Sequence, residues 1–304
     1  MIGLGLPQAP TGILIGNRES HLMIEKKNAF QGEHGAYSEA AALEYFGPGT
    51  ETLPLQSFED VFQAVSTGKC SAGLIPIENS LAGSIHRNYD LLLRNRDIHI
   101  VGEYHLRVNH CLMVLPGVAM DAVTTVHSHP QALAQCETSL KRMGLKLVAE
   151  YDTAGSARMI KEKGDRSAAA LAHKRAADVY GLDVLAENME DDPANYTRFL
   201  MIAAHPFKVD NPESGSYKTS VVFSLSNQPG ALFKALGVFA LRDIDLTKIE
   251  SRPLQGKPWQ YLFYADFCGH ADAGNCMRAL EHLGELAPFI RVLGSYPRHI
   301  LSFD

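Results

Sequence analysis

Ala72-Gly73-Leu74-Ile75-Pro76-Ile77 runs without a break into Glu78-Asn79-Ser80-Leu81-Ala82-Gly83-Ser84. The first six residues form an apolar run fit for a strand buried on both faces. Such strands belong to α/β sheets, where ligands gather at the carboxyl ends of the strands. Glu78, Asn79, Ser80 and Ser84 stand together at that end, with Gly83 among them. A plain turn does not need four hydrogen-bonding side chains, so the segment predicts a polar-ligand site as well as a fold class.

Working outward, Ala29-Phe30-Gln31 reads as a short strand closing at Gly32, with a helix from Tyr37 to Phe46. Ser57 opens a second helix: Phe58, Val61, Phe62 and Val65 share one face, and Asp60 sits in the first turn beside the cap. Downstream come a helix over 88–94 and a long β stretch over 98–115. The rhythm then repeats: helix 130–143, strand 146–151, helix 154–163, strand 168–172, helix 174–180, a strand near 184–188 and a last strand over 199–203. This alternation predicts an α/β fold with mostly parallel sheets. The long β stretch is placed to cross between two lobes, giving a unit over 28–205 whose second lobe covers about 108–185.

Pro206, Asn211, Pro212, Ser214 and Gly215 mark a linker over 206–216. Beyond it lie strand 220–226, turn 227–230, helix 231–241, strands 246–253 and 261–267 joined by a Gly256/Pro258 turn, helix 276–286 and strand 290–295. The order βαββαβ predicts a ferredoxin-like sandwich over 217–297, with a tail over 298–304. One sheet face is expected to be open and its edges free, and pairing with a second copy would protect those edges. Residues 1–27 read as an extension.

The 304 residues are 46% hydrophobic and 20% charged, enough for ordinary cores. A net charge of −6, with no Lys/Arg block, argues against a nucleic-acid partner. No apolar run is long enough to span a membrane, and the one early basic residue, Arg18, follows the apolar pieces where a secretory signal needs it in front. The five cysteines form no CxxC pair and read as reduced thiols, with neither disulfides nor a zinc site. A cytoplasmic chain is expected.

Four further segments occupy strand-to-helix corners or strand starts. Gly32-Glu33-His34-Gly35-Ala36-Tyr37-Ser38 leads into a helix whose N-terminus favours an anion. In Ser128-His129-Pro130-Gln131, Ser128 or His129 can cap the helix and Pro130 suits its first turn, with Gln135 one turn inside. His127 and His129, with no Cys or carboxylate beside them, do not make a metal site. In Tyr151-Asp152-Thr153-Ala154-Gly155-Ser156-Ala157, Asp152 or Thr153 can cap and leave N–H groups for a carboxylate. Asn195-Tyr196-Thr197-Arg198-Phe199 by itself reads as a plain strand start.

The order of these motifs resembles the prephenate dehydratase family from Ala29 to Tyr296. The matching segments are Gly32–Ser38, Pro76–Ser80, Ser128–Gln131, Tyr151–Ala157, Thr197-Arg198-Phe199, Gly230-Ala231-Leu232 and Glu250-Ser251-Arg252-Pro253. The resemblance implies a two-lobed unit like a periplasmic binding protein, followed by an ACT domain that binds amino acids. It resembles the monofunctional form, because residues 1–27 leave no room for a helical chorismate mutase domain. The implied reaction is the cofactor-free conversion of prephenate to phenylpyruvate, a carbon–oxygen lyase reaction, with arogenate as the alternative substrate. Thr197 is implied as the catalytic residue, donating to the leaving hydroxyl. Asn79, Ser80, Ser128, Gln135 and Thr153 are candidates for holding substrate. Arg198 is assigned either the pyruvyl carboxylate or a structural ion pair. L-Phenylalanine is the implied effector, at Asn227, Gly230, Ala231, Leu232, Glu250, Ser251 and Arg252, in a homodimer or homotetramer joined through the ACT domain. From another class, a non-catalytic sensor of amino acids or carboxylates shares the two-lobed architecture.

Overall fold

The computed structural model describes residues 27–254 and 261–301. The expected extension before Lys27, the Gly256/Pro258 turn and the last three residues lie outside the described residues. In chain order the first half contains β1 (Asn28–Gln31), α1 (Tyr37–Phe46), β2 (Thr52–Leu55), α2 (Phe58–Ser66), β3 (Ala72–Asn79), β4 (Gly83–Ser84), α3 (His86–Arg94), β5 (His99–Arg107), β6 (Cys111–Val114) and β7 (Thr125–Ser128). There follow α4 (Pro130–Gln135), α5 (Glu137–Arg142), β8 (Lys146–Ala149), α6 (Thr153–Lys163), β9 (Ala168–Ala172), α7 (Lys174–Tyr180), β10 (Asp183–Ala186) and β11 (Tyr196–Ala203). The last part holds β12 (Tyr217–Ser224), α8 (Ala231–Ala240), β13 (Leu246–Pro253), β14 (Tyr261–Cys268), α9 (Gly274–Leu286) and β15 (Phe289–Pro297).

Three sheets form among the described residues. Lobe I has the order β2-β1-β3-β11-β5 with β4 folded onto β3, lobe II the order β10-β6-β9-β7-β8, and the C-terminal sheet the order β13-β14-β12-β15. The long β stretch is β5 and β6, one in each lobe, with the crossing between them. The sheets are mixed rather than mostly parallel. β1, β2 and β3 are parallel, as are β7, β8 and β9, but β11 runs against β3 and β5, and β6 against β9 and β10. The reason is topological. The chain crosses the cleft twice, from β5 to β6 and from β10 to β11. Each strand entered from a crossing starts at the cleft, whereas its neighbours end there.

Local chemistry sets several boundaries. Ser57 caps α2 in a reciprocal box with Asp60. The helix expected over 130–143 is two helices broken at Cys136. The Asp191 N–H donates to the Gln135 carbonyl at 2.7 Å, and the Asp191 carboxylate takes the Thr138 N–H at 3.0 Å. This distant segment thus inserts into the helical ladder and divides it.

The two faces of the lobe I sheet bury different partners. Phe30, Leu74, Phe199 and Met201 pack with Ala40, Ala41 and Ala42 of α1. Ile75, Ile77, Leu200 and Ile202 pack with Val61 and Phe62 of α2, and also with Val222, Leu262, Tyr264, Leu293 and Tyr296 of the C-terminal sheet. The face expected to be open is therefore closed by lobe I, while α8 and α9 cover its other side around Val221, Phe223, Val238, Phe239 and Leu283. The apolar side chains alternate on both faces of β12, β14 and β15, and an apolar second face needs a second partner. β15 crosses β5 so closely that a Cβ on Gly294 would collide with the Ile100 carbonyl. The Arg291 guanidinium adds hydrogen bonds to the carbonyls of Leu92 (2.9 Å), Asn95 (3.1 Å) and Ile98 (3.1 Å) at the end of α3.

A shared core predicts shared unfolding. Leu293→Ala, at a site 2% exposed, should cost about 2–5 kcal/mol. Urea titrations should show the C-terminal domain and lobe I losing structure in one transition. A separate early transition confined to the C-terminal domain would contradict a common core.

Candidate functional site

The carboxyl ends of β3 and β7 and the start of β11 meet at the cleft. Asn79 closes β3 directly opposite Thr197 on β11. Its amide orientation is fixed by its neighbours: Oδ1 accepts the N–H groups of Leu81 (3.1 Å) and Ala82 (2.9 Å). Nδ2 is thereby the donor, reaching Asn195 Oδ1 at 2.8 Å and Thr197 Oγ1 at 3.1 Å. Among the described residues Thr197 Oγ1 accepts this bond and donates none. Its proton has no acceptor among the described residues. Because Asn195 faces Asn79 with its oxygen, its own Nδ2 is a buried donor with no partner among the described residues.

A second group lies where the chain crosses from β5 to β6. The buried His110 ring meets the Tyr37 hydroxyl at 2.8 Å through Nδ1 and Gln135 Oε1 at 3.0 Å through Nε2. Burial pushes the His110 pKa down and keeps the ring neutral. A neutral ring with Nε2–H donating to Gln135 satisfies both contacts, and leaves the Gln135 amide N–H groups for a ligand. The Asn109 carbonyl lies 2.8 Å from the same hydroxyl and competes with His110 Nδ1 for its one proton.

Two expected substrate donors are occupied. The Ser80 hydroxyl donates to the Ala194 carbonyl at 2.8 Å and accepts the Tyr196 N–H at 2.9 Å, stitching the end of β3 to the approach of β11. The fully buried Ser128 donates to the Leu171 carbonyl at 2.6 Å and ties β7 to β9. Each hydroxyl has one proton, and it is used inside the protein. Capping is done by His129, through its side chain to Gln131 N–H, and by Asp152, to Gly155 N–H. Thr153 is thus not needed as a cap at the first position of α6.

Arg198 points away from the cleft. Its guanidinium donates to Glu103 at 2.8 Å, Asp266 at 2.6 Å and the Tyr296 hydroxyl at 3.0 Å, and is buried. The pyruvyl-carboxylate role is corrected accordingly: the side chain forms the structural ion pair, with one carboxylate supplied by the C-terminal domain.

The lobes are clasped by residues that the motif reading passed over. Glu39, just after the Gly32–Ser38 motif, is buried in lobe I and takes Arg175 of lobe II at 2.8 Å, the Gly35 N–H at 2.7 Å, His34 at 2.7 Å and Thr52 at 2.8 Å. Arg158 reaches Glu33 at 3.0 Å, and the Tyr180 hydroxyl reaches the His34 carbonyl at 2.8 Å. Gly35 is required: its φ is +87°, and a Cβ there would lie 2.7 Å from Ala176 Cα in the opposite lobe. Beside the clasp lies a crevice of about 460 Å³ lined by Gln31, Gly32, Glu33, Leu55, Asp152 and Arg158, among others. Thr197 and Asn79 do not line it.

In the C-terminal domain, Asn227, Gly230, Ala231 and Leu232 form the turn and first turn of α8, just past the end of β12. Ser224 at that end lies in one row with Leu262 and Arg252, so both effector motifs share one end of the sheet. Ser251 is exposed there. Glu250 and Arg252, however, face lobe I. Glu250 binds Ser84 at 2.8 Å and His86 at 3.1 Å, and Arg252 binds Asp90 at 2.9 Å. Both thus contact lobe I, and Arg252 Nε stays a buried donor with no partner among the described residues.

Comparison with known proteins adds to this geometry. Residues 28–207 match the family model for prephenate dehydratase, and residues 219–285 match the ACT domain. The chain is 50% identical over 289 residues to arogenate dehydratase/prephenate dehydratase 1, chloroplastic, of Arabidopsis thaliana, covering 90% of this chain and 72% of the relative. It superposes with a TM-score of 0.84 and 38% identity on a structure described as a quorum-quenching acylase, GqqA, covering 90% of this chain and 98% of that one. Against the L-phenylalanine complex of prephenate dehydratase from Arthrobacter aurescens the TM-score is 0.81 at 31% identity, with 90% of each chain covered. The expected cytoplasmic location is overturned, since Arabidopsis relatives of this similarity are chloroplastic.

The clasp has a pH signature. Burial opposes ionisation of Glu39, but Arg175, the Gly35 N–H, His34 and Thr52 outweigh it and hold the pKa down to about 2. A carboxyl lowered on folding contributes stability that is fully present above its unfolded value, roughly 4.3, and is lost as pH falls through about 2. Glu39→Gln should therefore cost on the order of 2 kcal/mol at neutral pH. Urea unfolding from pH 7 to pH 3 should show that gap narrowing with acid. A gap independent of pH would rule out the ionised clasp.

Proposed function

The chain belongs to the prephenate dehydratase family and ends in an ACT domain, and from that membership we propose that it converts prephenate to phenylpyruvate under the control of L-phenylalanine. Dehydratase chemistry is the family's activity. The substrate and the effector are the steps proposed here. One observation carries the mechanistic reading: the Thr197 hydroxyl, oriented by Asn79, keeps its proton for a ligand at the mouth of the cleft.

In the proposed reaction the ring carboxylate leaves as carbon dioxide. The electrons of the broken C–C bond enter the ring, and the hydroxyl on the far side leaves as water after receiving a proton. The ring becomes aromatic, so no oxidant or reductant is consumed. Thr197 donates to the departing oxygen. A Thr hydroxyl is a weak acid, but the arriving electron pair makes that oxygen more basic as its bond to carbon breaks. Assistance of this kind is worth roughly 10²–10⁴-fold, and positioning in a cleft clasped at Glu39 supplies further acceleration. Gln135, Thr153 and the unpartnered Asn195 amide are neutral groups available to substrate, while both ends of the Asn79 amide are engaged in holding the site. Neutrality suits a carboxylate that must be lost, because an ion pair would stabilise it more in the ground state than in the transition state.

For control, the shared placement of Asn227–Leu232 and Ser251 at one end of the ACT sheet supports an amino-acid site there, as does the L-phenylalanine complex of the Arthrobacter relative. Phenylalanine acts only if it binds one arrangement of the domains better than another. Exposed Leu232, Phe233 and Ile249 on this domain support self-association as a homodimer or homotetramer.

Phenylpyruvate formation, followed by its ultraviolet absorbance, tests the reading with Thr197→Ala and Thr197→Ser. The alanine variant should lose about 10²-fold or more in kcat, and serine should retain part of it. Wild-type turnover by the alanine variant would remove Thr197 as the acid. Running prephenate beside arogenate decides the substrate: faster turnover of arogenate assigns the amino-acid form instead. Light scattering that returns a monomer would remove the pairing.

A further inference from the structure

The cleft pair and the ACT contacts are one residue apart on the same two strands. Asn79 and Thr197 face each other in register, and the next pair along is Glu78 and Arg198. Side chains alternate along a strand, so these two pairs point to opposite faces of the sheet. Asn79 and Thr197 meet at the cleft. Glu78 and Arg198 both meet the ACT domain: Glu78 binds Lys248 of β13 at 3.0 Å, and Arg198 binds Asp266 of β14 at 2.6 Å.

A bulge produces this arrangement. The pairing shifts between Arg198 and Phe199, so that Phe199 pairs with Pro76 and Arg198 with Glu78. Ile77 is the extra residue. Ile75 and Ile77 both belong to the core shared with the ACT sheet, and strict alternation from them would turn Glu78 toward α1 and Asn79 toward the ACT domain. The bulge reverses that and re-aims both side chains. The rest of the contact is a buried polar cluster. Lys218 of β12 reaches Glu103 of β5 at 2.7 Å, Glu103 also takes Arg198, and Tyr296 and Ser220 complete the shell of Arg198 and Asp266. Lys248 is further tied to Ser84 at 3.1 Å, and Ser84 to Glu250 at 2.8 Å.

We propose that Glu78 and Arg198 are positioning residues through which the ACT sheet sets the register of Asn79 against Thr197. The ACT domain holds each of the two strands from behind by one ion pair, at the residue next to the one that works in the cleft. A shift of the ACT sheet relative to lobe I pulls on β3 through Lys248 and on β11 through Asp266, at two different points. It therefore alters the distance from Asn79 Nδ2 to Thr197 Oγ1, and with it the orientation of the Thr197 proton, without touching a substrate-binding group. This rests on Thr197 being the acid and gives its effector a route.

The test uses Lys248→Met in the full chain, with Glu78→Gln, the double variant and Lys248→Arg beside it. Arg198 itself is a poor variant, because its removal leaves Asp266 as an uncompensated buried charge. The expected result is a fall in kcat of about fivefold or more with KM changed by less than about twofold, as for an interaction that matters only in the transition state. Lys248→Arg should recover most of the loss. The double variant should be no worse than the worse single one, since both remove the same contact. The fractional change in kcat caused by L-phenylalanine should shrink in Lys248→Met. Wild-type kcat in Lys248→Met, or a loss that Lys248→Arg does not recover, overturns the proposal. If the unaltered chain does not turn over prephenate, the substrate reading has failed instead, and the same variants are read on arogenate. If the unaltered chain does not respond to phenylalanine, the kcat and KM comparison decides alone.

Discussion

The structure depends on a buried cluster of balanced charge. Glu103 and Arg198 come from lobe I, Lys218 and Asp266 from the C-terminal domain, and each is nearly removed from water. Either half alone would carry an acid and a base whose outer partners were missing. Burying an ion without its partner costs several kcal/mol, so each domain's charges require the other domain to be present. Burial alone would raise the pKa of Asp266, yet Arg198 and Ser220 beside it bring it below the ordinary value. Arg198 is held protonated well above its usual range despite its burial, chiefly by Asp266. Apolar contacts around Tyr264, Leu293 and Tyr296 also join the two domains, but they are not directional. The ion pairs fix the register of that docking.

That constraint divides the sheet by chemistry. Charge is concentrated on the side facing the ACT domain, with Glu78, Arg198, Lys248 and Asp266. On the cleft side of the same two strands stand Asn79 and Thr197, both neutral. A β-sheet makes such a division at no cost in chain length, because consecutive residues already point to opposite faces. Glu39 with Arg175 and Glu33 with Arg158, which border the cleft, are paired across the lobes. They hold the lobes together and are neutralised in doing so. A dianionic substrate in the proposed reaction would then meet donors without a fixed counter-charge at the carboxylate it must lose.

Local pattern was legible in the sequence; partner choice was not. The helix Tyr37–Phe46 and the strand Leu246–Pro253 have the boundaries that periodicity and turn chemistry assign, because the signals lie within the elements. The helix through Cys136 was misread because what divides it is Asp191, far along the chain. Ser80 and Ser128 look like free donors in sequence, but their acceptors are the carbonyls of Ala194 and Leu171. Nothing within several residues of either serine announces those partners. Arg198 is the sharpest case. Its neighbour faces the cleft and it does not, and only alternation along β11 together with the ACT carboxylate decides between its two candidate roles. Glu39 was missed although it lies one residue beyond a quoted motif, and a buried acid on a small-residue helix face is a signal that could have found it.

The placement of Thr197 follows from how the chain threads the lobes. A two-lobed unit built from one continuous chain must cross its cleft twice if the chain is to return to the first lobe. Each returning strand starts at the cleft, so its first residues are held on one side by the sheet and on the other by the crossing segment. β11 is such a strand, and it pairs on both sides, with β3 and β5. Its start is therefore fixed by two ladders at the point where a ligand enters, whereas a residue on a free loop would be held by neither. Continuing the same strand one residue carries the chain to the opposite face and into the ACT contact. Rigid placement of the proposed acid and its connection to the regulatory domain thus have a single cause, which is that the strand returning from lobe II lies inside the sheet that the ACT domain covers, between β3 and β5.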